Sequence, residues 1–532
     1  MIFDLRENPG TRTGAALRHA GKVTRREALS LLAASTAVCI LPVDARSQTR
    51  PPSIPGARDV PELNLVPYSE PPVIRSEGGE LSTTLTVQLR REEIDGKPAI
   101  YRTYNGLFTG PTLRFRPGDE VNILLDNQLP PEEGGHGGEV DMSEPHGFNT
   151  TNLHTHGLWV SPQSPADDVL LSIGPGESFQ HRYEIEPKHV SGTYWYHPHK
   201  HGSVERQVSQ GMSGALIIEG GIDELPGIRE AVERIMVFQQ IQPDPDPVLA
   251  ASRKSVLDIA GPPNKTTTIN GLRGPTIVMA PGGIERWRLI AANYHDFLHF
   301  EVRHIETGMP LELHPIAWDG IPVRKVKART RISLTPGNRA DILVQPPREG
   351  IYQIWKIGDG GQFDVKPDDE LIGFLIAGPP PSEPVVIPQE ISEDYSHPDI
   401  TEPVDRIRKV VFSILRKDGK AYFLVDGKEF DPNRIDHLIK LDTVEEWRIE
   451  NTSNAMHPFH IHVNPFQIVE ISDGSIEPGR WLDTVHLPPG TEENPGYVIM
   501  RTRIRKFTGK FVQHCHILAH EDRGMMQIVQ IE

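Results

Sequence analysis

The chain has 532 residues, 37% of them hydrophobic, with 49 prolines, 47 glycines and a formal net charge of −17 at pH 7. That length exceeds one ordinary core and predicts about three domains, while the Pro and Gly counts fit turn-rich β structure better than helix. The acidity argues against nucleic acid or an anionic membrane surface as a partner.

In chain order, the first feature is Thr24-Arg25-Arg26-Glu27-Ala28-Leu29, followed by an uncharged run from Ala28 to Val43 and the small-residue site Val43-Asp44-Ala45. Residues 1–45 resemble a twin-arginine (Tat) export signal, read by the Tat machinery and cleaved, which predicts a periplasmic or secreted protein. Sixteen residues interrupted by Pro42 are short for a bilayer span, so stable membrane insertion is not expected. Cleavage removes Cys39 and leaves Cys515 alone, with no internal disulfide possible.

The rest of the chain contains a faint threefold repeat. Strand-like runs Asp119–Asn127, Ile284–Asn293 and Val444–Asn451 each lead to a His-bearing segment. Pro-Gly turns follow at 175–176, 336–337 and 489–490, then the strands Gly192–His197, Gly350–Trp355 and Gly509–His514. Units of roughly 150 residues are whole domains, since solenoid repeats run about 20 to 50. The boundaries read as 63–220, 232–378 and 400–532, with Pro379–Pro384 as a linker. Each unit is expected to be a Greek-key β-sandwich or barrel, making the protein all-β. The middle unit keeps the scaffold without the histidine spacing. The segment 130–147, with His136 and His146, reads as a surface loop.

Four motifs carry the chemistry: His154-Thr-His156, His197-Pro-His199, His457-Pro-Phe-His460-Ile-His462, and His514-Cys515-His516 with His520 and Met525. With 23 histidines, chance predicts about one His-x-His pair, and the chain has five, counting His199/His201. On a strand, residues i and i+2 face one way and the residue between faces the other. His514 and His516 therefore look toward one metal centre and Cys515 toward a second. Tetrahedral zinc patterns are absent, and a cupin-type single His-x-His site leaves three motifs unexplained.

These motifs resemble the multicopper oxidases, across nearly all of the chain beyond the signal. The resemblance implies three cupredoxin domains and four copper ions: one type 1, one type 2 and two type 3. Type 1 ligands would be His457, Cys515, His520 and, axially, Met525. Two imidazoles, a thiolate and a weak thioether are what blue copper takes. Met526 is the competing axial candidate; the family's spacing of five after the last histidine favours Met525, with Met526 then expected in the core. His154 and His460 would hold type 2 copper, and His156, His197, His199, His462, His514 and His516 the type 3 pair. His201 is expected outside the ligand set or facing solvent.

The implied activity couples four one-electron oxidations of a small reducing substrate, a phenol or aromatic amine, to reduction of dioxygen to water. His520 would lie nearest the substrate pocket, and electrons would pass through Cys515. Asp167, thirteen residues after His154, is the candidate proton relay, expected ionised beside a cationic cluster. Many bacterial members have Glu just before the last type 1 histidine; Ala519 stands there instead. The alternative is a periplasmic copper-homeostasis protein: a cuprous oxidase, copper binder or electron carrier. Scattered methionines tell against the cuprous oxidase.

Overall fold

The computed structural model describes residues 66–94, 97–132, 141–242, 266–358 and 369–532, with one pair of two-residue strands, 22–23 against 63–64. The expected export signal, apart from strand 22–23, and His136 fall outside the described residues. No helix among the described residues is long and apolar enough to cross a membrane.

Among the described residues, the regular secondary structure is nearly all sheet. Beyond the short pair, its sheets follow one another in three sets of two. A four-stranded and a five-stranded sheet span residues 73–218, two six-stranded sheets lie in 232–377, and a six-stranded and a five-stranded sheet fill 406–531. The strand Val66–Pro67 joins the middle set, pairing with Pro275–Met279. The fold is that of cupredoxin-type sheets packed face to face.

The sequence repeat appears as a repeated pairing. Glu80–Ile94 runs parallel to Glu120–Asn127, Val232–Ile241 to Glu285–Ala291, and Arg406–Lys417 to Thr443–Asn451. Each second strand then pairs antiparallel with a later one. The last two sets also share a buried ion cluster. Glu285 accepts hydrogen bonds from Arg234 and Trp287 Nε1, as Glu445 does from Arg408 and Trp447 Nε1.

Burial patterns show how the sets meet. Glu120–Asn127 buries every second residue, as a one-sided strand should. Glu285–Ala291 is buried on both faces. One side packs in its own core, and Ile290 on the other joins Trp195 and Ile217 of the first set. The first and last sets meet at Asp522, which accepts from the backbone N–H groups of Gly202, Val204 and Glu205 and so caps the helix Val204–Ser209. This clasp brings the two histidine-bearing sets together.

Candidate metal centres

Strand pairing gathers the histidines. His154–His156 lies beside Gly192–His197, with His154 opposite His197. His457–Ile461 lies beside Gly509–Cys515, with His460 opposite His514 and Phe459 opposite Cys515. Alternation then divides the third motif. His460 and His462 share the face of His514, while His457, an odd number of residues away, shares the face of Cys515. The ten motif histidines, Cys515 and Met525 are each 2% exposed or less.

On the first face, residues far apart in sequence converge. His514 Nε2 lies 3.1 Å from His199 Nε2 and 3.3 Å from His462 Nε2. His516 Nε2 lies 3.3 Å from His156 Nδ1. His154 stacks on His462 and His156 on His460, each pair with ring centroids 3.9 Å apart. On the opposite face, Cys515 Sγ is 3.5 Å from His457 Nδ1 and 3.6 Å from His520 Nδ1, and those two nitrogens are 3.3 Å apart. Met525 packs in the same core as Cys515, and its carbonyl accepts from Cys515 N–H. Met526 sits with Val169, Phe430 and Val512.

Outward nitrogens orient these rings. His154 Nδ1 bonds Asp167 (2.9 Å), His197 Nδ1 the Pro198 carbonyl (2.9 Å), His460 Nδ1 the Asp483 carbonyl (2.8 Å) and His457 Nε2 the Ser453 hydroxyl (2.8 Å). His156 is reversed: its Nε2 meets the Asp483 carboxylate at 3.1 Å, which turns Nδ1 inward. The inward Nε2 atoms of His154, His197 and His460 are buried with no hydrogen-bond partner among the described residues.

Burial depresses every one of these imidazole pKa values. His457 is lowered to about 3, His199 and His514 to about 4, and the rest lie well below the usual range. Neutral rings with unused lone pairs, aimed at common points, are what metal ions require and what protein hydrogen bonding does not satisfy. Three-residue donor groups form at His154/His460/His462, His154/His156/His197, His199/His462/His514 and His457/Cys515/His520. The donor set fits bound metal. Burial also pushes the Cys515 thiol up, so a metal binding there displaces a proton.

Asp167 accepts from Thr155 N–H (2.7 Å) and Thr155 Oγ (3.0 Å) besides its contact with His154. Its neighbour Asp168 instead bonds Ser164. In the protein alone, burial pushes the Asp167 carboxyl up to about 7, against the expectation of an ionised group. A cation in the cluster acts in the opposite direction.

Three further differences from expectation concern burial and position. Of the two positions expected for His201, the structure excludes the solvent-facing one: it is 4% exposed and donates to the Met142 carbonyl through Nε2. His520 is 1% exposed beneath Phe423, itself 1% exposed and stacked at 4.4 Å, so no donor touches that imidazole in this conformation. Besides Asp167 and Asp483, a further carboxyl reaches the cluster, at Glu521 and not at position 519. The short helix Leu518–Glu521 turns it back to 3.1 Å from His514 Nδ1 and 3.4 Å from His199 Nδ1. Neither contact is aligned as a hydrogen bond, and burial raises this carboxyl to about 7. The sequence signal was available: an acidic residue directly after a ligand-type histidine, on a turn too short to point away.

The middle set supplies no histidine to these groups but walls one side of them. A Cβ on Gly337 would lie 3.0 Å from His516 Cδ2 and 3.1 Å from His156 Cε1, and its φ is +94°. Gly337→Ala should therefore cost about 1–3 kcal/mol and lower copper loading while sparing the blue absorption. Elemental analysis checks this, and full loading with unchanged stability would refute the close packing.

Known proteins match this architecture. Residues 145–222 and 404–532 each fit a sequence profile described as multicopper oxidase. A multicopper oxidase of Staphylococcus aureus is 26% identical over 86% of this chain and 90% of its own. The chain belongs to the multicopper oxidase family.

A laccase of Bacillus subtilis is 24% identical over 82% of this chain and 92% of its own. The solved multicopper oxidase of Campylobacter jejuni, described as a metallo-oxidase, superposes with a TM-score of 0.70 at 23% identity, covering 87% and 94% of the two chains. As a multicopper oxidase the protein is a copper-dependent oxidoreductase with dioxygen as acceptor, and it binds four coppers: one type 1, one type 2 and two type 3.

Proposed function

We propose that this multicopper oxidase is exported and oxidises small phenols or aromatic amines, one electron at a time, while dioxygen is reduced to water. The observation that carries the reading is the His514-Cys515-His516 tripeptide, whose thiol and first imidazole face opposite sides of one strand. His457, Cys515, His520 and Met525 would hold type 1 copper, and His154 with His460 type 2. The type 3 pair would divide as His199/His462/His514 and His156/His197/His516, following the shortest contacts between nitrogens.

Bound copper supplies the one-electron redox chemistry and the four-electron reduction of dioxygen. The protein contributes connection, orientation and protons. A few covalent bonds join Cys515 Sγ to each flanking imidazole, a short path between the two faces. Ser453 fixes the His457 ring so that Nδ1 faces Cys515. Asp167 and Glu521 are buried carboxyls on opposite flanks of the cluster, one at His154 and one at His199 and His514, and each can hold a proton for delivery there.

Two measurements bear on this reading. Dioxygen uptake across phenols, aromatic amines, bilirubin-like pigments and cuprous ion should favour the first two classes; a preference for cuprous ion would move the protein to copper homeostasis. Met525→Leu should raise the type 1 potential in a redox titration, because a weak axial donor is lost. An unchanged potential would remove Met525 from the ligand set.

A further inference from the structure

A cleft between the middle and last sheet sets takes no part in the chemistry above. It encloses about 340 Å³ beside Trp318 and Trp481. Five Lys and Arg side chains line it against two carboxylates, in a chain whose net charge is −17. Arg324 pairs with Glu393 and Asp399, and Lys327 with Glu477. Lys325, Arg329 and Arg480 have no ion pair among the described residues.

Arg329 and Arg480 repel each other across the cleft, and the Glu477 and Asp319 carboxylates offset that repulsion only in part. Arg480 shows the strain: burial first, then the Arg329 charge, lower its pKa. Its guanidinium lies over the Trp318 ring, 5.1 Å from the centroid, leaving the N–H edges for a planar oxyanion. Trp481 borders the cleft with the 7% of its surface left exposed, and its indole N–H is buried with no partner among the described residues. Guanidinium forks bind carboxylate or sulfonate bidentately, and indole faces take flat rings.

We propose that this cleft is a second ligand site, selective for an aromatic oxyanion, with the charged group between Arg329 and Arg480 and the ring against Trp318 and Trp481. The site stands independently of the donor oxidised at the type 1 copper.

Calorimetric titration of the copper-loaded protein tests this with four probes that are not phenols. Naphthalene-2-carboxylate and naphthalene-2-sulfonate should bind one per chain, whereas the neutral naphthalene-2-carboxamide and inorganic phosphate should each bind about tenfold more weakly or worse. Arg480→Gln and Lys325→Gln should each weaken the carboxylate, the first by about tenfold or more, as loss of a charge-assisted hydrogen bond requires. Intact blue absorption and an unchanged melting temperature verify that each variant is folded. If Arg480→Gln fails that check, Lys325→Gln and Arg329→Gln decide. Phosphate binding as tightly as the aromatic acids would overturn the aromatic part of the proposal. No binding, or binding that the folded variants leave unchanged, would overturn the site itself.

Discussion

Cys515→Ser should erase the intense blue absorption and bring donor-driven dioxygen uptake to background, while three of the four coppers stay bound. The thiolate is the only soft anionic donor facing His457 and His520 among the described residues, and its loss leaves two neutral imidazoles and a distant thioether. The other histidines lie on the opposite face of the strand and do not use that sulfur. Copper analysis with visible spectroscopy reads both halves. Persistent colour, or loss of all copper together, would contradict the separation of the two faces.

The second large effect lies away from the ligands. Arg339, fully buried, bonds both Asp483 oxygens (2.8 and 2.6 Å) and also reaches the carbonyls of Thr193, Gly337 and Asp319. Asp319 in turn accepts from the backbone N–H groups of Arg339, Asp483 and Thr484. One guanidinium thus ties all three sheet sets together behind His156. Arg339→Met should cost about 3–5 kcal/mol, the usual penalty for stranding buried carboxylates. It should also loosen His156, so Tm and copper content fall together. Unchanged values for both would mean that the network is dispensable.

The contrast between these two sites explains what could be read in the sequence. The candidate metal-binding histidines were legible because strand alternation converts spacing into direction: one residue between two histidines places both on one face. The same rule separates His457 from His460 and His462. The threefold repeat was legible because each unit needs the same pair of parallel strands. Asp483, Asp319, Arg339 and Gly337 carry no such signal. They are single residues of common type, and the contacts that join the sheet sets span more than 140 positions, as with Arg339 and Asp483 or Asp319 and Asp483. Glu521 is intermediate, close in sequence to a ligand but aimed by a four-residue helix. The sealing of His520 by Phe423 is likewise a tertiary fact, since Phe423 comes from a separate hairpin, Arg406–Lys417 with Lys420–Val425.

In the proposed reaction, one strand delivers electrons from a sulfur-bound copper to a histidine-bound cluster. The direct test is the ratio of donor radicals formed to dioxygen consumed by the copper-loaded protein, with peroxide assayed in the same vessel. Four radicals per dioxygen and no peroxide are expected. Two radicals per dioxygen with matching peroxide would contradict it.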